Sequence, residues 1–347
     1  MTEEKEKKFI EYLKIVSPGS PLRNVINDLA RSNLGAMIVF DSPTLRTQNL
    51  TDGGFKINCR FTPQKLFELC KMDGAIILSQ DLKRILYANV LMTPETSINT
   101  SETGTRHKAA ERVAKQANTF VIAVSERKNK TTIYHDHTKY FIKSSDELLR
   151  DTNTAITILE KQTENLKECS TNLNILEMSE LVSVSDVCKV IQRAEMILKI
   201  SKSVKRNFTE LGNEGNILNM RYKELIRGVE KAEEEVLRDY ATLPLKKSKN
   251  LLANITFEGL LDLESIARLT LEENLEENIS PKGFRFLAHL NITKKEISLL
   301  VQQFQNLNNI LKSDSRDLEK ILKNRASSIN EEITNLREQI LSGKVIY

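Results

Sequence analysis

Two short stretches carry residue types that can do chemistry together. Thr103-Gly104-Thr105-Arg106-His107 stands at the start of an Ala-rich helical segment, and Asp73-Gly74 stands at the start of a very apolar one. The first-turn amides of a helix have no acceptor within the helix, and the helix dipole adds to their pull on an anion. Gly104 lets a backbone approach a ligand closely, Arg106 can grip a phosphate through its planar fork, and His107 adds a donor or a metal ligand of tunable charge. The set suits a polyphosphate, and it equally suits an ordinary capped helix with an exposed Arg-His pair. Asp73 is open in the same way. It can end a turn or cap a neighbouring helix, or it can hold a divalent metal or take a proton from a hydroxyl. A third piece, residues 125–130, is a polar turn or a source of phosphate contacts from Ser125, Arg127 and Lys128, with Glu126 near a metal.

Other motifs are missing. There is no Walker loop and no G-x-G-x-x-G, so any phosphate is held outside the commonest nucleotide folds. His135 and His137 alternate across Asp136 as on a strand, which would turn both to solvent without a ligand set for a metal. Cys59, Cys70, Cys169 and Cys188 form no C-x-x-C pair and read as buried free thiols.

The elements that must position these groups alternate up to about residue 143. Helical spacing over residues 4–16 and 20–31 is followed by the apolar strand LGAMIVF, a turn with alternation in DGGFKINCRF, and a helix opened by Thr62 and Pro63. GAIILS, RILYANVLM, TFVIAVS, KTTIYHD and KYFI read as further strands. From Ser144 to about residue 278 almost every pattern is helical, which suits a spacer or an oligomer scaffold. The tail after SPKGF reads as several short helices. A chain of 347 residues exceeds one ordinary core. Its tail from Pro281 carries eleven Lys and Arg against seven Asp and Glu, leaving the remainder balanced, and a mildly basic module is compatible with phosphate contacts. No apolar run reaches the roughly eighteen residues of a membrane span, and the charged N-terminus lacks a secretory core, so no membrane partner is expected and a cytoplasmic place is.

Asp73-Gly74-Ala75, followed about thirty residues later by GTRHKAAERVA, resembles the DGA and RHxxA motifs of the diadenylate cyclase family in order and spacing. VSDVCKVIQRAEMILKI and ELGNEGNILNMRYKELIRGVEKAEEEVLRDY are similar to the helical spine of that family's DisA branch, so the resemblance covers nearly the whole chain. It implies an α+β multi-domain protein. A mixed α/β diadenylate cyclase domain would span 1–145, an all-α spine 146–280 and a diverged helix-hairpin-helix-like module 281–347. It implies the condensation of two ATP into cyclic di-AMP with release of two pyrophosphates, and a homo-octamer whose facing subunits share each site. It also implies regulation by branched DNA such as Holliday junctions, and association with the nucleoid. Asp73 would ligate Mg2+ or Mn2+ and help activate a 3′-hydroxyl, with Arg106 and His107 completing the catalytic set. Gly74, Ala75, Thr105, Lys108, Ala109, Ser125, Arg127 and Lys128 would join Arg106 and His107 around ATP, and Leu91 and Met92 would meet the adenine.

Two departures matter. The family helix commonly reads RHRTAERVA, whereas Lys108-Ala109 stands here; a threonine hydroxyl is lost while the backbone amide stays, so activity is expected to survive. The tail's hairpin position, LKNRASSI, has no glycine, so Lys323 and Arg325 would supply charge without the usual amide nest, and DNA binding is expected to be weak and salt-sensitive. The competing reading is a DNA-binding scanning protein whose nucleotide-binding domain is inactive.

Overall fold

The apolar runs AMIVF, AIIL and FVIAV become strands whose every residue is buried, as central strands covered on both faces must be. The computed structural model describes residues 3–126 and 130–343. In the first part of the chain the elements are α1 (Glu3–Ile15), α2 (Pro21–Arg31), β1 (Ala36–Phe40), α3 (Pro43–Thr47), β2 (Thr51–Asp52), β3 (Phe55–Arg60), α4 (Pro63–Leu69), β4 (Ala75–Leu78) and β5 (Arg84–Met92). They continue with α5 (Thr105–Ala117), β6 (Phe120–Val124), β7 (Thr131–His135) and β8 (Thr138–Ile142). Among the described residues the strands form one eight-stranded sheet in the order β2-β5-β4-β1-β6-β7-β8, with β3 paired to β5.

Local chemistry sets the helix starts. Ser20 accepts a hydrogen bond from the Arg23 amide and Pro21 opens α2, which buries Leu22, Val25, Ile26 and Leu29 at helical spacing. Thr62 does the same for α4 by accepting from the Lys65 amide. Phe9 and Leu13 of α1, those α2 residues and Leu66 of α4 pack on Ile38, Phe40, Ile76, Leu78, Phe120 and Ile122. The opposite sheet face, Met37, Val39, Ala75, Ile77, Val121 and Ala123, receives Ala110, Val113, Ala114 and Ala117 of α5. The small residues of α5 let its backbone lie close to the sheet. The five-residue α3, capped by Ser42, has no counterpart in the sequence pattern, because a single turn shows no hydrophobic period.

The alternation expected for His135 and His137 is corrected. β7 ends at His135, which is buried with its ring 4.8 Å from that of Tyr12, and Asp136, at φ 51°, forms with the exposed His137 the two-residue turn into β8. The two rings point to different surroundings because the strand stops between them.

The chain divides into two units, Met1–Thr152 with Arg206–Ile217, and Asn153–Lys205 with Leu218–Tyr347. Past residue 144 the structure is helical: α6 (Ser145–Ser179), α7 (Val184–Leu211), α8 (Asn216–Leu225), α9 (Val229–Tyr240), α10 (Leu245–Asn254) and further helices to Leu341. In the second unit Leu287, Leu300, Leu307, Ile310, Leu318 and Ile329 form a core with Met178 of α6. Asp239 at the end of α9 accepts hydrogen bonds from the amides of Gly283, Phe284 and Arg285 and so caps the helix Phe284–Leu287. No helix among the described residues is long and apolar enough to cross a membrane.

Candidate functional site

Three strands and one helix bring the separate sequence pieces to one end of the sheet. β1 and β4 run parallel with Met37 opposite Ala75, so Gly35 and Asp73 each stand two residues upstream of that pair. β1 and β6 run antiparallel with Ala36 opposite Val124, so the next step sets Gly35 level with Ser125. Asp73, Gly35 and Ser125 therefore all lie at one end of the sheet, just outside the paired strands. α5 begins over that end. A Cβ built on Gly35 would lie 2.8 Å from Arg106 Cζ and 3.2 Å from its Nη2, with Nη1 closer still, so the guanidinium of Arg106 rests on the Gly35 backbone.

The start of α5 is open to a ligand. Its cap is Gly104, in extended conformation and with no side chain to accept from the first-turn amides, while the Lys108 amide donates back to the Gly104 carbonyl at 2.8 Å. Thr105 is exposed, and Arg106, His107, Lys108 and Ala109 are half-buried. Among the described residues the Arg106 guanidinium makes no hydrogen bond or ion pair. A half-buried cation without a protein anion is poised for an anion from outside.

Asp73 is exposed, and among the described residues its carboxylate likewise makes no hydrogen bond or ion pair. Gly74 has φ +93°, and a Cβ there would press on Asn89 and Val90 of β5 at 2.9–3.0 Å, so its glycine is required by the strand beside it. Ala75 points into the core and can offer a ligand only its backbone. Ser125 closes the β6–β7 connection by donating its amide to the Lys130 carbonyl at 3.0 Å. Arg127 and Lys128 lie outside the described residues. Leu91 and Met92 do not act as a pair: Leu91 is 62% exposed while Met92 turns into the core on the α5 side. Ala109 packs against that same core.

Sequence reasoning missed what holds the start of α5 in place. The Glu111 carboxylate, buried, accepts from Thr100 Oγ1 at 2.5 Å, from the Ser101 amide at 3.2 Å and from Lys115 Nζ at 2.7 Å. Arg112 donates to the carbonyls of Ile98 and Thr96, Lys115 to that of Asn99, and Gln116 accepts from the Glu95 amide. The whole loop from Glu95 to Ser101 is thus tied to the second and third turns of α5. Glu102, next along, accepts from the Tyr134 hydroxyl at 2.6 Å and pairs with Lys139 at 2.5 Å, while the Tyr134 ring meets the His107 ring edge-on at 6.4 Å. Burial works to raise the Glu102 carboxyl, but Lys139 and Tyr134 outweigh it and hold it below the usual range; burial and Glu102 push the Tyr134 hydroxyl up. Glu111 follows Glu102, with burial opposed by Lys115 and Thr100. The only sequence signal for this lacing was a polar stripe beside the alanines of α5, which reads as a solvated face until the loop is placed.

A divalent cation fits this donor set. Among the described residues no three His, Cys, Asp or Glu side chains gather as a metal cage. A lone exposed carboxylate such as Asp73 suits an ion held by one protein oxygen, substrate phosphates and water.

Comparison with known proteins bears on the same residues. Residues 23–139 match the family described as DisA bacterial checkpoint controller nucleotide-binding, and residues 142–275 the DisA bacterial checkpoint controller linker region. The chain is 38% identical to the DNA integrity scanning protein DisA of Clostridium kluyveri, over 97% of this chain and 98% of that protein. It is also 38% identical to that of Acetivibrio thermocellus, over 97% and 96%. A crystal structure of DacA from Staphylococcus aureus aligns with 41% of this chain and 91% of its own at 22% identity, with a TM-score of 0.31.

Proposed function

The chain belongs to the DisA family of bacterial checkpoint controllers, and from that premise we propose that it condenses two ATP into cyclic di-AMP. The observation that carries the reading is the Arg106 guanidinium, without a protein anion among the described residues, resting one strand from Asp73 at an uncapped helix start. The first-turn amides, Thr105 and Arg106 hold the triphosphate, and His107, set against Tyr134, donates to it as charge builds on the leaving pyrophosphate. Asp73 takes the proton of the 3′-hydroxyl or orients it, and Gly74 and Ala75 offer backbone to the nucleoside. Mg2+ or Mn2+, held by Asp73 and the phosphates, would supply charge neutralisation when bound.

Each 3′-oxygen forms a bond to the α-phosphorus of the other nucleotide as the bond from that phosphorus to the pyrophosphate breaks. Two ATP give one cyclic dinucleotide, two pyrophosphates and two protons. One chain offers one such half-site, so the reaction calls for a second copy facing the first, and the long helices α6 and α7 suit an assembly of the octamer kind. We divide the chain at 145 and 280 into cyclase domain, spine and tail, with the tail binding branched DNA weakly through Lys323. Arg325 is already engaged, by Glu296 and the Asn291 carbonyl.

The test is direct. Purified protein is incubated with ATP and Mn2+ or Mg2+, and the products are separated by chromatography, with Asp73→Asn as control. Cyclic di-AMP from the parent and none from the variant is expected. A folded parent that binds ATP but yields no cyclic dinucleotide with either metal would overturn the reading and favour a scanning protein with a silent nucleotide site.

A further inference from the structure

We propose that Gly35 is a positioning residue: the missing side chain is the shelf on which the Arg106 guanidinium lies, aimed at the triphosphate. The inference rests on the reading of Arg106 as a phosphate ligand given above. Glycine at 35 is not demanded by the backbone, since its φ lies outside the left-handed region in which Gly74 sits. No strand atom comes nearer to an added Cβ than the guanidinium does. The three atoms nearest to an added Cβ all belong to the Arg106 guanidinium.

The placement gives the shelf a purpose. Gly35 leads into β1, which lies between β4, preceded by Asp73, and β6, followed by Ser125, so the cation above it lies between the carboxylate side and the β6 side of the site. The Nη1 end of the fork comes closest to the bare Gly35 backbone, and among the described residues no carboxylate takes the guanidinium's N–H donors, which stay available to an oxyanion. Any side chain at 35 would lift or swing the fork. The side chain is flexible enough to yield, so the cost falls on aim and not on folding.

A double-variant cycle tests this with a non-reactive probe, α,β-methylene ATP, titrated calorimetrically into the full-length protein beside thermal melts and ATP kinetics. Gly35→Ala should melt at or above the parent temperature, because alanine suits this backbone and restricts the unfolded chain. It should bind the probe on the order of tenfold more weakly, the scale of one charge-assisted hydrogen bond. KM for ATP should rise with it, and kcat should fall too, since ~1 Å of misplacement costs much in catalysis. In an Arg106→Ala background Gly35→Ala should add nothing. Gly35→Ala binding as tightly as the parent, or a loss fully additive with Arg106→Ala, overturns the proposal. So does a lowered melting temperature that persists in the double variant, which would assign the glycine to the fold. Arg106→Ala binding like the parent would strike the reading of Arg106 itself and this proposal with it, whereas Gly35→Ala alone binding like the parent leaves that reading standing.

Discussion

Glu111 reaches back from the second turn of α5 to accept the Thr100 hydroxyl at 2.5 Å, and this one carboxylate anchors the loop that delivers Gly104 and Arg106. Removing it leaves the half-buried Thr100 hydroxyl and the Ser101 amide without their acceptor, and Lys115 with the Asn99 carbonyl alone. Glu111→Ala should destabilise the first unit by about 1–3 kcal/mol, the cost of stranding such groups, and should weaken ATP binding because the turn is no longer held. Glu111→Gln, which keeps an acceptor for Thr100, should lose less of both. Urea unfolding and nucleotide titration on the same preparations check this; an alanine variant as stable as its parent would refute it.

Gly74→Ala should behave unlike Gly35→Ala. Its φ of +93° and the approach of Asn89 and Val90 leave no room for a methyl, and backbone strain of this kind costs about 1–3 kcal/mol. The variant should melt several degrees lower, and its activity should fall because β4 and β5 no longer meet correctly beside Asp73. A thermal melt separates the cases: an unchanged melting temperature with lost nucleotide binding would mean that Gly74 serves the ligand and not the strand.

The sequence shows the sheet core plainly, because strands covered on both faces are continuous apolar runs such as 75–78 and 120–124, and because the caps Ser20 and Thr62 act within three residues of themselves. It hides features that depend on distant partners. The Asp136-His137 turn contains no glycine, so the sequence reads as a continuing strand; Asp136 supplies the positive φ instead. Asp73 and Arg106 are legible by type and spacing, and the structure sets them one strand apart. Gly35 is not legible, since its reason is a side chain on a helix formed much later in the chain. Leu91 and Met92 look like one apolar pair until the pleat turns them to opposite faces.

In the helical unit, Glu195 of α7 and Glu233 of α9 are both buried, each with an Oε1 that finds no hydrogen-bond donor among the described residues. Burial, with Glu195 beside it, pushes the Glu233 carboxyl up to about 8, although Lys249 works the other way; Glu230 adds to the rise, and Lys199 faces Glu195 at 3.5 Å. An unfolded glutamate titrates near ~4.3, so the folded chain holds the extra proton between that value and about 8. Stability from this group is complete below the unfolded value and is lost as pH rises through the folded one. Melts of the parent should therefore fall between pH 5 and pH 8.5 more steeply than those of Glu233→Gln, and the variant should be the more stable at pH 8, by on the order of a few degrees. Parallel pH profiles would remove Glu233 as the cause.

Lys323 and Arg325 should differ sharply at the tail. Lys323 is exposed and adopts φ 51°, ψ −130°, a conformation suited to glycine, whereas Arg325 is committed to Glu296 and to the Asn291 carbonyl. Lys323→Gly should stabilise the tail by about 1 kcal/mol through relief of that strain, yet weaken binding to a Holliday junction and lower the slope of log affinity against log salt by about 1, as loss of one phosphate contact does. Arg325→Ala should leave the salt slope nearly unchanged, because its charge is already answered within the chain, and should instead loosen the packing of the tail through the freed Glu296. Gel shifts at several salt concentrations, read beside melts, distinguish the two. An equal drop in slope for both variants would mean that Arg325 releases Glu296 when DNA arrives, and the division of labour drawn from the free protein would fail.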